Sequence, residues 1–462
     1  MPTTIMIAGA TVIDTYTGAK TIRDILIQGS RVFQMSAPGN LVTPHDAKVI
    51  NARGKYAIPG LWDMLTHPST FPEIEDRMPA LFIAHGVTSI RVIGEPIDKT
   101  LAWQDKAQMP GALVPHIWFS GPFINSSPPW GNPKSINADT PEEAYALVDD
   151  LVGKGADMIK PYEMLRPEVF KAIVERADYH GLRTGGHVPT RMTIEEVLEI
   201  APTYEILHLG GQCTGMKFDC TRDPSRWRDR RVAALDANQH SISKGWELLL
   251  AMEKAVPVMV SDSDQKKREC VIKTFSKKGT WHTPTLMAIV SMADLGIDSN
   301  ADRLHSDKYM PKDFLQKLLD TFGVPEVVDI EEKRHQWGPW FMETVGLMHK
   351  AGIPLMAGTD YPPYVELCAP GLALHFELTA FVKAGLSPLS ALQTATLNPA
   401  KYFDIEHDFG SIAEGRYADL LLLEADPLED INNTRKIAAV ISRGKYLDRQ
   451  NLDQMLQDMI DQ

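Results

Sequence analysis

Apolar residues along this chain fall into short β-rich runs separated by stretches with three- and four-residue periodicity. The runs 55–64, 87–93, 116–120, 157–159, 182–184, 204–207, 281–286 and 354–357 are apolar or β-branched and bounded by Gly, Pro or polar residues, as buried strands are. Between most of them lie helical patterns, at 141–153, 167–180, 193–200 and 339–350, with Asp, Thr or Pro near their starts. Strand and helix in alternation imply parallel pairing with helical crossovers. Eight such units predict an α/β chain folded as a (β/α)8 TIM barrel, in which chemistry belongs to the C-terminal ends of the strands.

The two ends of the chain carry a different pattern. Residues 4–48, with IMIAGATVIDT and DILIQGSRVFQM, and the C-terminal runs ADLLLLEA and AAVISRGKYL read as short strands broken by turn residues. They predict one small β-sandwich built from both termini. The expected division is 1–57 for its N-terminal part, 58–405 for the barrel, and 406–462 for its C-terminal part and tail. A 462-residue chain that is 44% hydrophobic can bury a core of that size. No repeat of fixed period stands out.

Five polar residues stand at the ends of the apolar runs: His67 after YAIPGLWDMLT, Lys160 after ADMI, His187 after LRTGG, His208 after YEIL and Asp360 after IPLMAGT. Singly, each has an ordinary structural role, as a hydrogen-bonded histidine, a solvated lysine or a loop-capping carboxylate. Jointly they predict one convergent site, because independent structural roles do not place all five at strand ends. Imidazole and carboxylate suit zinc or a similar divalent ion, with one position left open for water. His187 and His208, on strands five and six, could hold one ion. Asp360 and His67, on strands eight and one, are neighbours in a barrel and could hold a second. An ammonium at Lys160 would repel metal, so its use requires carboxylation to a carbamate, an anionic bridge.

Charge and cysteine usage narrow the partners. A net charge of −13 and a pI near 5.6 argue against nucleic acid. The stretch 217–244 is locally basic around RWRDRR. It is either a solvated excursion after the sixth strand or a lid whose arginines meet an anionic substrate group. Four cysteines, Cys213, Cys220, Cys270 and Cys368, make neither a disulfide framework nor a zinc knuckle. A Cys213–Cys220 bridge stays open. No run reaches membrane-spanning length, and the start MPTTIMIAGATVID enters strand-like sequence at once. The expectation is a soluble, cytoplasmic chain with no membrane partner; a signal removed before this numbering would leave no trace.

The sequence resembles the amidohydrolase superfamily, in its imidazolonepropionase-like and prolidase-like branch. The resemblance is carried by ATVIDTYTG, DILIQGSRV, AIPGLWDMLTH, GADMIKPY, GLRTGGHVP, EILHLGG, LMAGTDYPP, LHFELTAFVKAGLSPLSALQTATLNPAKYF and GSIAEGRYADLLLLEADPLEDI. It implies that Lys160 is a metal-bridging carboxylated lysine and that His187 and His208 bind the more exposed ion. It also implies that Asp360 binds the buried ion and acts as general base. Homo-oligomers are common in the family. One position departs from it: the family's first strand ends His-x-His, and here Leu65-Thr66-His67 puts leucine first. Leucine has no lone pair, so the buried ion would keep only His67, Asp360 and the carbamate. The chain is then a single-metal hydrolase, a two-metal enzyme with a weakened buried site, or a catalytically disabled variant, natural or engineered.

The expected chemistry is amide (C–N) hydrolysis of a small molecule, with Asp360 taking a proton from a metal-activated water and passing it to the leaving nitrogen. His282, Tyr162 and Arg91 are candidates to reach the substrate by strand-end position. Tyr162 also resembles the family's tyrosine near the bridging lysine. Tyr361 and Tyr364, beside Asp360, are placed to touch a ligand, and Trp130 in the loop 122–133 lines the mouth or packs beneath it. The expected substrate is an N-acyl amino acid or dipeptide with a hydrophobic acyl side. A lactonase, a metal-dependent isomerase or decarboxylase, and a pseudoenzyme that binds without turnover are the alternatives.

Overall fold

The computed structural model describes residues 4–69, 72–109, 112–127, 135–210, 215–237, 256–290, 308–309, 327–361 and 368–460. The N-terminal strands are β1 (Thr4–Ile13), β2 (Lys20–Gln28), β3 (Arg31–Ser36), β4 (Lys48–Asn51) and β5 (Tyr56–Pro59). β1 pairs antiparallel with β2 and parallel with both β4 and β5.

The apolar run 55–64, expected as a single strand, is cut at Gly60. β6 (Leu61–Thr66) begins immediately beyond it. Gly60 N donates to Asp419 O, whereas Leu61 N donates to Gly86 O, so the pairing partner changes between two consecutive residues. The unbroken hydrophobicity hid this break because both halves are buried.

β6 continues into a parallel ladder with β7 (Val87–Val92) and β8 (His116–Phe119). β9 (Phe123–Asn125) and β10 (Ser135–Asn137) form a separate parallel pair after it. A second ladder runs through β11 (Met158–Ile159), β12 (Arg183–Gly186), β13 (Glu205–Leu207) and β14 (His282–Thr283), again parallel throughout. Asp157 N donates to Phe119 O across 2.8 Å, between the end of one ladder and the start of the next. On the other side, the segment 354–361 exchanges backbone hydrogen bonds with both ladders. Met356 N reaches His282 O at 2.8 Å, Met64 N reaches Ala357 O at 2.9 Å, and Asp360 N reaches Leu65 O at 2.9 Å.

The crossover helices follow their sequence signals. Pro141–Gly153 and Ile194–Ile200 start at capping boxes, Thr140 with Glu143 and Thr193 with Glu196, and Pro167–Tyr179 starts at a first-turn proline. The helix expected to begin at Pro339 instead runs Val327–Lys350 with the proline inside it. Its buried residues Trp337, Phe341, Val345 and Met348 recur at helical spacing on both sides of Pro339. That buried stripe holds the helix on the core through the missing hydrogen bond.

The chain closes with β15 (Leu420–Leu423), β16 (Ile437–Ser442), β17 (Lys445–Asp448) and the helix Arg449–Ile460. These strands join the N-terminal ones in a continuously hydrogen-bonded sheet of order β17-β16-β15-β5-β1-β2-β3, with β4 on β1. Alternation divides its two faces. Ile5, Ile7, Ile25, Ile27, Leu420, Leu422 and Ile441 pack on one another, while Ile58, Leu421, Leu423 and Val440 belong to the main core. Among the described residues, no helix is long and apolar enough to cross a membrane.

Candidate metal centre

Backbone strain marks the strand ends where the expected site lies. Six non-glycine residues among those described have positive φ, and four of them are His208 (52°), Leu209 (58°), Thr285 (53°) and Asp360 (56°). The left-handed region is costly for L-residues, most of all for a β-branched threonine. That cost is concentrated at the ends of β13 and β14 and on the segment 354–361. A close approach explains the two glycines before His187. A Cβ on Gly186 would lie 2.2 Å from Pro161 O, 2.8 Å from the Tyr204 hydroxyl and 3.2 Å from Lys160 Cδ. Only glycine lets β12 pass the Lys160 side chain.

Of the other four expected residues, His67 and His208 approach Asp360 directly, and His187 and Lys160 stand close by. His67 Nε2 is 3.0 Å from Asp360 Oδ1, and His208 Nε2 is 3.8 Å from the same oxygen. The His187 and His208 rings stand 5.0 Å apart and nearly perpendicular. Both have their Nδ1 atoms engaged elsewhere, His187 with Glu163 Oε1 at 2.8 Å and His208 with Thr285 Oγ1 at 2.5 Å. Lys160 is 1% exposed, with Nζ 5.7 Å from the ring centres of both Phe123 and Tyr162. Tyr162 in turn lies 4.5 Å from the His187 ring.

Burial sets the charge states. It pushes the Lys160 ammonium down to about 7, against the pull of Asp360 and Glu205, so a neutral, nucleophilic amine is accessible near neutral pH. It drives His187 and His208 well below the usual imidazole range. Burial alone would raise the Asp360 carboxyl, but the imidazoles of His208, His67 and His187 around it more than reverse this and hold it at about 2. His187 and His208 are therefore neutral beside the ionised Asp360 carboxylate.

By the chemistry of its donors, though not by their present arrangement, the set suits a divalent cation. Nδ1 anchoring by a carboxylate or hydroxyl leaves Nε2 as the ligating atom, the usual second partner of a metal-bound histidine. As the side chains stand, Asp360 and His67 satisfy each other directly. Among the described residues, no group of three His, Cys, Asp or Glu side chains is arranged to hold a metal ion. Leu65 contributes no donor; it is fully buried in an apolar cluster with Ile93, Phe123, Met158 and Leu207.

Other expected contacts fall elsewhere. Arg91 is fully buried and donates to both oxygens of Glu205 at 2.6 Å. It reaches from β7 to β13, with Nε on Met64 O, so its charge is spent inside the fold and not on a ligand. His282 turns away from the cluster: its ring lies 4.3 Å from Phe275 in the helix Gln265–Lys278, and its Nε2 is 2.9 Å from Thr280 Oγ1. The alternation that sends Thr283 inward to Glu205 sends His282 outward. Tyr361 is buried in the main core, while its carbonyl accepts from His67 N at 2.7 Å. Trp130, Tyr364 and Cys213 lie outside the described residues.

Sequence reasoning missed Glu163 and Thr285, and met Arg231 only as part of the basic run RWRDRR, with its arginines assigned to solvent or substrate. Glu163 stands three residues beyond Lys160 and Thr285 three beyond His282, yet neither position has a motif of its own. The basic excursion is only partly solvated: Lys217 and Arg231 are both 4% exposed, and residues 238–244 lie outside the described residues.

Comparison with known proteins agrees with this architecture. The Amidohydrolase family model matches residues 311–447, a span that contains Asp360. Adenine deaminase of Rubrobacter xylanophilus is 42% identical over 73 residues, 15% of this chain and 12% of that protein. The chain spans about a tenth of the length of such curated relatives. Solved structures match along the whole chain. A Xaa-Pro dipeptidase with methionine bound in its active site superposes with a TM-score of 0.64 at 18% identity, covering 96% of this chain and 100% of that one. The bottromycin amidohydrolase superposes at 0.70 and 20% identity, covering 100% and 91%. At such identities the likeness is one of fold.

Proposed function

We propose that the chain is a member of the amidohydrolase superfamily, a reading supported by the family model over residues 311–447 and by the shared fold, and that it is a metal-dependent hydrolase of amide C–N bonds built on a (β/α)8 barrel. The barrel reading is supported by the backbone bonds that link the two parallel ladders directly and through the segment 354–361. The reading of the site rests above all on the approach of His67 and His208 Nε2 atoms to a single oxygen of Asp360. His187, His208 and Lys160 would hold one ion, with Lys160 converted to a carbamate by carbon dioxide. Asp360 and His67 would hold a second only weakly, because Leu65 gives nothing.

The chemistry supplied by a bound zinc or similar ion is Lewis acidity, which polarises the scissile carbonyl and makes water acid enough for a weak base. Asp360, ionised across the neutral range, takes the proton of the attacking water on its carboxylate. It then delivers that proton to the leaving nitrogen as the C–N bond breaks, acting first as base and then as acid. Glu163 and Thr285 keep the imidazoles oriented meanwhile, and the apolar cluster around Leu65 and Phe123 excludes bulk water from one side.

The proposed substrate is an N-acyl amino acid or dipeptide with a hydrophobic acyl side. The Xaa-Pro dipeptidase and the bottromycin amidohydrolase among the structural neighbours and the apolar wall of Leu65, Phe123 and Tyr162 favour a peptide-like substrate. The test is a panel of dipeptides, N-acyl amino acids, lactones and adenine, assayed with the metal content of the same preparation. Cleavage of peptide-like amides by metal-loaded protein, lost with a chelator, is expected. Turnover of lactones or adenine alone would overturn the substrate assignment, and no hydrolysis by a fully loaded chain would overturn the enzyme.

A further inference from the structure

The helix Pro224–Ala237 sends one side chain into the fold to a place the proposed chemistry does not use. Arg231 Nη2 donates to Glu163 Oε2 at 2.7 Å, and the other oxygen of Glu163 is 2.8 Å from His187 Nδ1. The side chains of Arg231, Glu163 and His187 are 3%, 1% and 4% exposed. Thr190 N donates to the Glu163 carbonyl at 2.8 Å and fixes the backbone of the middle member. Three segments distant in sequence therefore meet in one buried line: the loop after β11, the end of β12 and the helix that follows β13.

The chemistry of the line fixes a tautomer. A guanidinium has only donors and stays protonated in proteins. A carboxylate bonded to it offers only acceptor oxygens, so His187 must carry its proton on Nδ1 and present the Nε2 lone pair to the centre. We infer that Arg231 is a positioning residue for the metal centre, and that docking of the helix Pro224–Ala237 sets the centre's affinity for a divalent ion. The inference rests on the proposal that His187 is a ligand. Its consequence is reciprocal: whatever seats this helix tightens the ion, and the ion in place favours the seated helix.

The experiment measures zinc affinity of the full chain by competition with a chromophoric chelator, well below the thermal midpoint, for wild type, Arg231→Met, Arg231→Lys and Glu163→Gln. Arg231→Met is expected to weaken zinc by about 10–100-fold, as loss of a metal histidine's outer partner does, with Arg231→Lys recovering part of it. The cobalt form of Arg231→Met should also show displaced absorption bands, which a general loss of stability would not produce. Zinc affinity within twofold of wild type in folded Arg231→Met overturns the inference. Should that variant fail to fold, Glu163→Gln decides by the same twofold criterion, since its amide keeps the shape but, with its oxygen on Arg231, turns an NH2 donor toward His187 Nδ1 and removes the demand for a proton there. A wild-type chain that binds no zinc sinks the metal proposal itself, an outcome distinct from equal binding by wild type and variant.

Discussion

Leu65→His tests whether the apolar residue at the end of β6 has replaced a ligand. Leu65 is fully buried against Ile93, Phe123, Met158 and Leu207, and a Cβ placed on Gly358 would come 2.9 Å from its own Cβ, so the segment 354–361 packs directly on it. Burying a leucine contributes roughly 1.5–3 kcal/mol, and a buried imidazole nitrogen without a partner costs about 1–3 kcal/mol. Metal-free Leu65→His should therefore be less stable than wild type by about 2.5–6 kcal/mol, the sum of those two effects. Zinc should reverse much of the loss, because a ligand binding only the folded state at 100 times its dissociation constant adds about 2.7 kcal/mol. The assay is the thermal midpoint in chelator and in zinc, with elemental analysis for ions per chain. A low midpoint in chelator, a steep rise with zinc and extra bound metal are expected. An unchanged midpoint in chelator would refute the assigned packing cost, and unchanged metal content would mean that position 65 does not face the centre. A large gain in turnover would identify the leucine form as a disabled enzyme.

Three further outcomes follow from the same geometry. Glu205→Gln leaves Arg91 buried without its carboxylate and should cost about 3–5 kcal/mol, read by chemical denaturation. Asp63 and Glu377 are pushed up by burial to about 7 and about 8, so folding takes up protons between their ordinary values and these. Their contribution is complete at low pH and is lost as pH rises toward 8, so the thermal midpoint in chelator should fall over that interval, less steeply in Asp63→Asn and Glu377→Gln. Lys160→Met should abolish amide hydrolysis and lower metal content while leaving the circular dichroism spectrum intact; full turnover would remove the carbamate from the mechanism.

The elements most legible in the sequence were those whose local chemistry and burial agree. The helix Pro141–Gly153 matches its expected bounds because a capping box and an apolar stripe coincide, and strands such as Val87–Val92 are short, rich in β-branched residues and preceded by glycine. The break at Gly60 was invisible because a change of hydrogen-bond partner leaves hydrophobicity untouched. The convergence of His67, Lys160, His187, His208 and Asp360 on one place was legible, since strand-end position is a one-dimensional property. The directions of Arg91 and His282 were not. Arg91 stood on the expected strand but its partner Glu205 lies 114 residues away, and His282 missed the centre by one residue of strand alternation. Glu163 and Thr285 touch the imidazoles of His187 and His208, and nothing in local pattern announced either; Arg231 was visible only as one of the arginines in a basic run, without its partner Glu163.

The left-handed backbone at His208, Thr285 and Asp360 also bears on how this sequence would drift under selection. Each such residue costs roughly 1–3 kcal/mol, which glycine would largely recover. A library screened for heat resistance alone should therefore enrich glycine or asparagine at position 285, where a β-branched side chain fits least well. The same change removes the hydroxyl that holds His208 Nδ1. Thermal robustness and turnover would then separate at a single codon, as expected of a site that spends stability on orientation.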